Sequence, residues 1–456
     1  VFMNRRKMVP FLLCLAFCFN FCMAPANGAA QEQNQITLEQ SFNQALTLSG
    51  PVSGIAPSLV SILRSPLDGG LAEYTFILKV GKGRYDRIGL HRVVKEKYPF
   101  IPVKTDRVVM MVHGDTSDFH STFLMTTDQD RSSAVYLAQK DIDVWGIDLR
   151  WALVPAATTD FSFMQGWNSD THLQDIDLGM KLARLVRMLT GSGHDKIFLL
   201  GHSRGAQLVY AYANQETQLS EKQRNLRGII PIDMIYKLPV GEQALKDAAY
   251  GRYLAYKSLY DSGQYHSDEG AQLKALAALA AAAPHDPSPA VPGMTNMQAA
   301  LLALTSTYAT IPAPLQPITP FYHYLAGAFD DNGLPAGLRY ADYEYVSRIA
   351  LSSPDYQSLG EQIDGEALIS DAVDVPYDDH LGDVEVPVLY VGAAGGMGSY
   401  GEYTQTLLGS SDQTSLIIQK ESPDLAVLDF GHADLIWADS ALSEVWQTIG
   451  QWIRTH

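Results

Sequence analysis

The sequence predicts an α/β protein built on a mostly parallel sheet with helices on both faces. Short apolar runs alternate with segments of helical period, an antiparallel hairpin precedes them, and one long stretch of helical character interrupts the alternation before it resumes. After the polar residues Gln31 to Gln35 and an irregular Gly/Pro/Ser-containing segment, Tyr74 to Val80 and Arg87 to Val94 form two strands joined by the turn Gly81-Lys82-Gly83. Strand Val108 to Val112, a helix near Ser132 to Lys140 and strand Val144 to Ile147 follow. A helix over His172 to Leu189 carries Leu173, Ile176, Met180, Ala183, Val186 and Leu189 on one stripe and stops at Gly191-Ser192-Gly193. Strand Ile197 to Leu200, a helix from Arg204 to Asn214 and strand Gly228 to Ile232 continue the pattern.

Then the alternation breaks off. Residues 237–384 have helical rather than strand character, with the Ala/Leu run Leu273 to Ala283, a helical stretch Met297 to Thr305, a Pro-rich joint at Pro284 to Pro292, and aromatics from Tyr322 to Tyr345. So long an insert is read as a helical cap over a substrate, entered after the sixth strand. Strand Val386 to Val391 resumes the core, which comprises residues 31–236 and 385–456. It closes with strand Thr414 to Gln419, the loop Phe430 to Asp434, and a helix whose Leu442, Val445, Ile449 and Trp452 share a face.

With 456 residues, 46% of them hydrophobic and 18% charged, the chain has the material for a large core, which rules out disorder. A net charge of −17 argues against nucleic acid and anionic lipid as partners. Residues 1–30 read as a secretory signal: Arg5, Arg6 and Lys7 precede the apolar run Val9 to Ala24, and Gly28, Ala29 and Ala30 suit a peptidase cutting before Gln31. The expected location is secreted or periplasmic, with no stable membrane span after cleavage. All three cysteines, Cys14, Cys18 and Cys22, leave with the signal, so disulfides, thiolate metal sites and a cysteine nucleophile are excluded from the mature chain.

Gly201-His202-Ser203-Arg204-Gly205 matches G-x-S-x-G between a strand and a helix, the setting of a nucleophile elbow. Glycine is needed there because the turn is too crowded for a Cβ at either flank. His113-Gly114 ends the strand Val108 to Val112, where a second oxyanion donor belongs; the backbone N–H groups of Arg204 and Asp115 are the expected pair. Asp115 is awkward, since a carboxylate beside an oxyanion opposes the developing charge unless its side chain turns away. His432 alone among the twelve histidines lies between the final strand and the final helix, from where a base reaches the elbow across the strand ends.

On these motifs the chain resembles the α/β-hydrolase superfamily over about Tyr74 to Ile453, with a cap insert. Gly431-His432-Ala433-Asp434-Leu435-Ile436-Trp437 resembles the His loop of lipases of the acid-lipase type, and Val144-Trp145-Gly146-Ile147-Asp148-Leu149-Arg150 resembles their fourth strand. The resemblance implies a cofactor-free serine hydrolase acting on a small-molecule or lipid-like carboxylic ester, with Ser203 as nucleophile, His432 as base, and His113, Gly114, His202 and Trp437 around the substrate. The acid departs from the pattern. Gly392 to Gly398 offers no carboxylate before Glu402, whereas Asp233 ends the sixth strand, where some lipases carry their acid. Asp233 is preferred, because a strand end positions a carboxylate better than a glycine-rich loop does, and Glu402 remains the alternative. No His-Glu-x-x-His is present, Asp378-Asp379-His380 reads as a solvated loop, and no metal is expected. The other readings are a catalytically silent relative binding an apolar ligand, or a serine hydrolase of amides or lactones.

Overall fold

The computed structural model describes residues 54–313 and 315–456, with Gln35, Gln40, Phe42, Asn43 and Leu46 before them. The signal expected over 1–30 lies outside the described residues. The main sheet follows the order β1 (Ser58–Pro66), β2 (Leu71–Lys79), β3 (Arg87–Tyr98), β5 (Asp143–Asp148), β4 (Val108–Val112), β6 (Ile197–His202), β7 (Leu226–Ile232), β8 (Val388–Ala393), β9 (Gln413–Ile418). Strands β1, β2, β3 and β5 pair antiparallel in succession, and from β5 to β9 every pairing is parallel.

The hairpin is therefore a three-stranded antiparallel wing, because β1 occupies the segment the sequence reads as irregular. Only Ile62 of β1 is buried. An edge strand with one inward side chain, three serines and a proline has no alternating signal to read. The insert accordingly follows the seventh of these nine strands, the eighth with the short strand Ile101–Pro102 that pairs with β3, rather than the sixth. It runs through α1 (Gln243–Asp261), α2 (Glu269–Ala282), α3 (Asn296–Thr305), α4 (Tyr343–Ser352) and α5 (Leu359–Ser370). It also contains two small antiparallel pairs, Gly327–Phe329 with Pro335–Leu338 and His266–Ser267 with Gln357–Ser358, which interrupt its helical character.

Alternation along the central strands sorts the core into two layers. Val108, Met110 and Val112 face one with Trp145, Ile147, Ile197 and Leu199, while Val109 and Met111 face the other with Val144, Phe198 and Leu200. Both faces are covered, the arrangement parallel strands require. No described helix is long and apolar enough to cross a membrane.

Buried charge ties the antiparallel wing to the parallel sheet. On β3, His91 places Nδ1 2.8 Å from Glu73 of β2 and Nε2 3.0 Å from Asp148 at the end of β5. Phe119 N–H donates to the other Asp148 oxygen, and His120 Nε2 reaches Glu73. Glu73, His91 and His120 bring ligand-type atoms within 4.8 Å of one another, a cluster of titratable groups invisible to local sequence spacing. Burial alone would lower the pKa of His91, but the charges and hydrogen bonds of Asp148 and Glu73 raise it to about 10. Burial would raise the Glu73 carboxyl, and its bonds to His120 and His91 lower it to about 2.

The sign of the pH dependence follows. Stability from His91 is complete below its ordinary value of 6.5 and is lost as pH rises through about 10; that from Glu73 is complete above 4.5 and is lost as pH falls through about 2. The two overlap fully between those ordinary values. Melting curves should show His91→Gln destabilised by several degrees between pH 5 and pH 6, on the order of 1–3 kcal/mol, with the deficit shrinking towards pH 10. A deficit that does not vary with pH would mean that His91 acts through packing alone.

Candidate functional site

The carboxyl ends of β6 and β7 carry Ser203 and Asp233, and the loop that follows β9 carries His432 to the same edge of the sheet. Ser203 follows β6 at φ 57 and ψ −128, a backbone conformation costing about 1–3 kcal/mol for a residue with a Cβ. Its N–H donates to Ile232 O, and its own carbonyl accepts from Ala206 N, so the elbow is locked to the neighbouring strand and the following helix. A Cβ on Gly205 would lie 2.2 Å from Val112 O, which is why that helix crosses β4 on a glycine.

Asp233 follows β7 at φ 45 and is fully buried. One carboxylate oxygen accepts from Ala393 N at 2.8 Å and Gly398 N at 3.0 Å; the other accepts from Met397 N at 3.1 Å and lies 2.7 Å from His432 Nδ1. The glycine-rich segment after β8 thus cradles the carboxylate of the adjacent strand instead of delivering one of its own. A Cβ on Gly396 would come within 2.2 Å of the Asp233 carboxylate. Glu402 is half-buried at the end of the short helix Gly398–Glu402, and among the described residues it makes no hydrogen bond or ion pair with His432, whose Nδ1 is taken by Asp233.

His432 is 1% exposed, and its Nε2 has no hydrogen-bond partner among the described residues. No bond joins Nε2 to Ser203 Oγ, a link that sites of this kind often complete only with substrate in place. His202 keeps the ring beside the elbow: the imidazole centroids are 4.5 Å apart, and His202 Nε2 lies 3.2 Å from His432 O. Burial, with His432 alongside, pushes the pKa of His202 well below its ordinary value, so it is a neutral imidazole donating Nε2–H to that carbonyl.

The His loop is also bonded to the insert. His432 N donates to His323 O and Ala433 N to Tyr324 O, while Asp434 accepts from Gly431 N at 2.7 Å and Ala326 N at 2.8 Å on one oxygen. The other Asp434 oxygen is buried without a partner, and burial raises this carboxyl to about pKa 7 despite the two backbone donors.

On the oxyanion side, the N–H groups of Arg204 and Asp115 make no hydrogen bond among the described residues. The Asp115 carboxylate turns to the Arg204 guanidinium, with Nε at 3.3 Å, and to Gln357, which removes the electrostatic objection raised by the sequence. His113, expected at the substrate, is not among the residues that line the cavity beside Ser203. Leu149 N donates to its Nε2 at 3.1 Å and its Nδ1 lies 3.0 Å from Gly114 O, so it orients the Gly114–Asp115 peptide from behind.

Gly114, His202, Ser203, Arg204, Asp115 and Trp437 all line one cavity of about 430 Å³. Its other walls come largely from the insert, including Tyr256, Glu269, Leu304, Tyr322 and Tyr324, residues for which the sequence offered only an aromatic-rich composition. A strongly apolar recess adjoins it, sharing Leu273, Leu304 and Trp437 and continuing along Leu276, Val346 and Ile349.

No protein-family model matches this chain, and no curated protein matches it. Solved structures do. A protein from Sulfolobus solfataricus described as a candidate lipase is 17% identical with a TM-score of 0.58, over 87% of this chain and 98% of that one. A soluble variant of monoglyceride lipase from Saccharomyces cerevisiae, in complex with a substrate analog, is 14% identical with a TM-score of 0.47, over 88% and 96%. An epoxide hydrolase from an endophytic Streptomyces is 13% identical with a TM-score of 0.42, over 85% and 96%. At these identities the likeness is one of fold.

The Asp434 carboxyl yields a second pH signature. Its folded pKa is raised from 3.8 to about 7, so the unfolded chain ionises first and stability falls as pH rises across that interval. Asp434→Asn keeps the acceptor for Gly431 and Ala326 and cannot ionise. Its melting temperature should match the parent near pH 4 and exceed it by several degrees at pH 8, and equal melting at both values would show that the carboxyl ionises freely.

Proposed function

The chain has the α/β-hydrolase fold, and from that premise we propose that it is a serine hydrolase cleaving carboxylic esters. The observation that carries the reading is the 2.7 Å link between Asp233 and His432 Nδ1 beside an elbow serine held at positive φ. With Nδ1–H committed to Asp233, Nε2 is the basic nitrogen. Ser203 Oγ attacks the acyl carbon as its proton passes to Nε2, and the carbonyl oxygen takes up charge against the N–H groups of Arg204 and Asp115. The imidazolium then returns that proton to the departing alkoxide. Water repeats the sequence on the acyl-enzyme, releasing the acid and restoring Ser203.

The apolar recess supports an apolar acyl or alkyl group, and the acidic surface disfavours anionic esters. The basic and apolar leader supports action outside the cytoplasm, with residues 237–384 acting as the cap over the substrate.

Labelling by a fluorophosphonate should be strong in the parent protein and absent in Ser203→Ala; an unlabelled parent would favour a silent binding protein. With a short-chain 4-nitrophenyl ester, Asp233→Asn should lower kcat by about 10⁴, and His432→Ala by a comparable factor, while Glu402→Gln stays within about tenfold. Near-normal turnover in Asp233→Asn would remove the carboxylate from the mechanism.

A further inference from the structure

The cavity beside Ser203 contains more charge than the ester chemistry uses. Two of its pairs are internally balanced: Arg204 with Asp115, and Arg252 with Glu366, whose Nη2 and carboxylate are 3.1 Å apart. Glu269 is different. It opens onto the lumen from the first turn of α2, and among the described residues no cation and no hydrogen-bond donor engages its carboxylate. Glu269 is an exposed residue open to the cavity, and the protein around it, with Asp115 and Asp268, raises its pKa.

The groups around it are aromatic. Tyr256, Tyr322 and Tyr324 line the same cavity, and each is close enough to Glu269 for its carboxylate to influence the phenol's ionisation. Tyr324 also stands 6.0 Å from the His432 ring and edge-on to Trp437 at 5.6 Å, so this wall borders the reacting atoms. Burial raises all three phenols, so the rings that line the cavity are neutral and electron-rich at physiological pH. A single unpaired carboxylate in a cavity lined by neutral aromatic rings suits an organic ammonium ion: the carboxylate supplies the net charge, and the rings supply attraction to a cation too bulky to be strongly hydrated.

We propose that the hydrolase selects esters carrying a cationic amine or quaternary ammonium group, with Glu269 as the residue that determines this preference and Tyr256 and Tyr324 as the flanking faces. This inference rests on the serine-hydrolase reading for its kinetic test and stands apart from it in its binding test. An uncharged ester still reacts, since Glu269 touches no reacting atom. Cationic substrates gain through binding, chiefly in KM.

Two pairs of isosteres place the charge in either half of the ester: butyrylcholine against 3,3-dimethylbutyl butyrate, and 4-nitrophenyl 6-(trimethylammonio)hexanoate against 4-nitrophenyl 7,7-dimethyloctanoate. In at least one pair the cationic ester should have the higher kcat/KM by about tenfold, and Glu269→Gln should bring that ratio close to one. Ratios near one in both pairs for the parent protein, or a preference that survives Glu269→Gln, would overturn the proposal. Calorimetry with hexyltrimethylammonium and Ser203→Ala tests the same site without catalysis. Heat of binding that disappears when Glu269→Gln is added supports the proposal even if the protein proves catalytically silent, and absence of binding to Ser203→Ala counts against it whether or not the parent turns over esters.

Discussion

The buried carboxylate of Asp233 is the constraint around which the strand ends are organised. An ion taken out of water without compensation costs several kcal/mol, and here three backbone N–H groups and one imidazole repay that cost. Those donors come from the end of β8, the loop after it and the His loop, so one side chain at the end of β7 fixes the relative placement of three segments. A glycine-rich sequence that looks like slack is a fitted cradle, since it must bring three N–H groups to one carboxylate and leave no Cβ at Gly396. The same carboxylate selects the tautomer of His432, because only Nδ1–H can serve it. Folding and the tautomer of the candidate base are therefore set by the same contacts.

The elbow turn and the histidine loop were legible in the sequence because each depends on local order: a strand, a turn with glycines at fixed offsets, a helix, and a histidine after the last strand. The choice between Asp233 and Glu402 was not legible in the same way. It depends on how the loop Gly392 to Gly398 packs against a strand 160 residues earlier, and the only local hint was that a strand end is a firmer support than a glycine run. His113 shows the opposite failure. Its position after β4 suggested a place in the substrate cavity, but its ring is turned back onto Leu149 and Gly114, which no spacing rule encodes. Strand β1 and the Glu73, His91, Asp148 and His120 cluster were hidden for related reasons. The first lacks an alternating pattern because only Ile62 is buried and no apolar face repeats along it, and the second joins four elements separated in the chain.

Charge is distributed unevenly between the two halves of the candidate site. At the elbow, charged groups are paired or cradled: Asp115 with Arg204, Asp233 with the N–H groups. Above it, in the insert, Glu269 is left open. Pre-organised dipoles below suit a developing oxyanion, which demands fixed geometry. An uncompensated charge above suits recognition, in which the incoming molecule completes the set.

The bonding of the His loop to residues 323–326 changes what counts as a part of this molecule. His323 also takes Gly395 O through its backbone and Asp429 O through its ring, and Thr319 bonds Gly396 O. By chain position this strap belongs to the insert; by hydrogen bonding it is a tenon set into the core. Anyone transplanting the insert onto another scaffold, or replacing it to change specificity, would therefore have to leave 319–326 behind with its original partners. The exchangeable pieces are the stretches on either side of it, and a natural lineage that reshaped this cavity by insertion and deletion would be expected to spare the strap while the flanking helices changed in length.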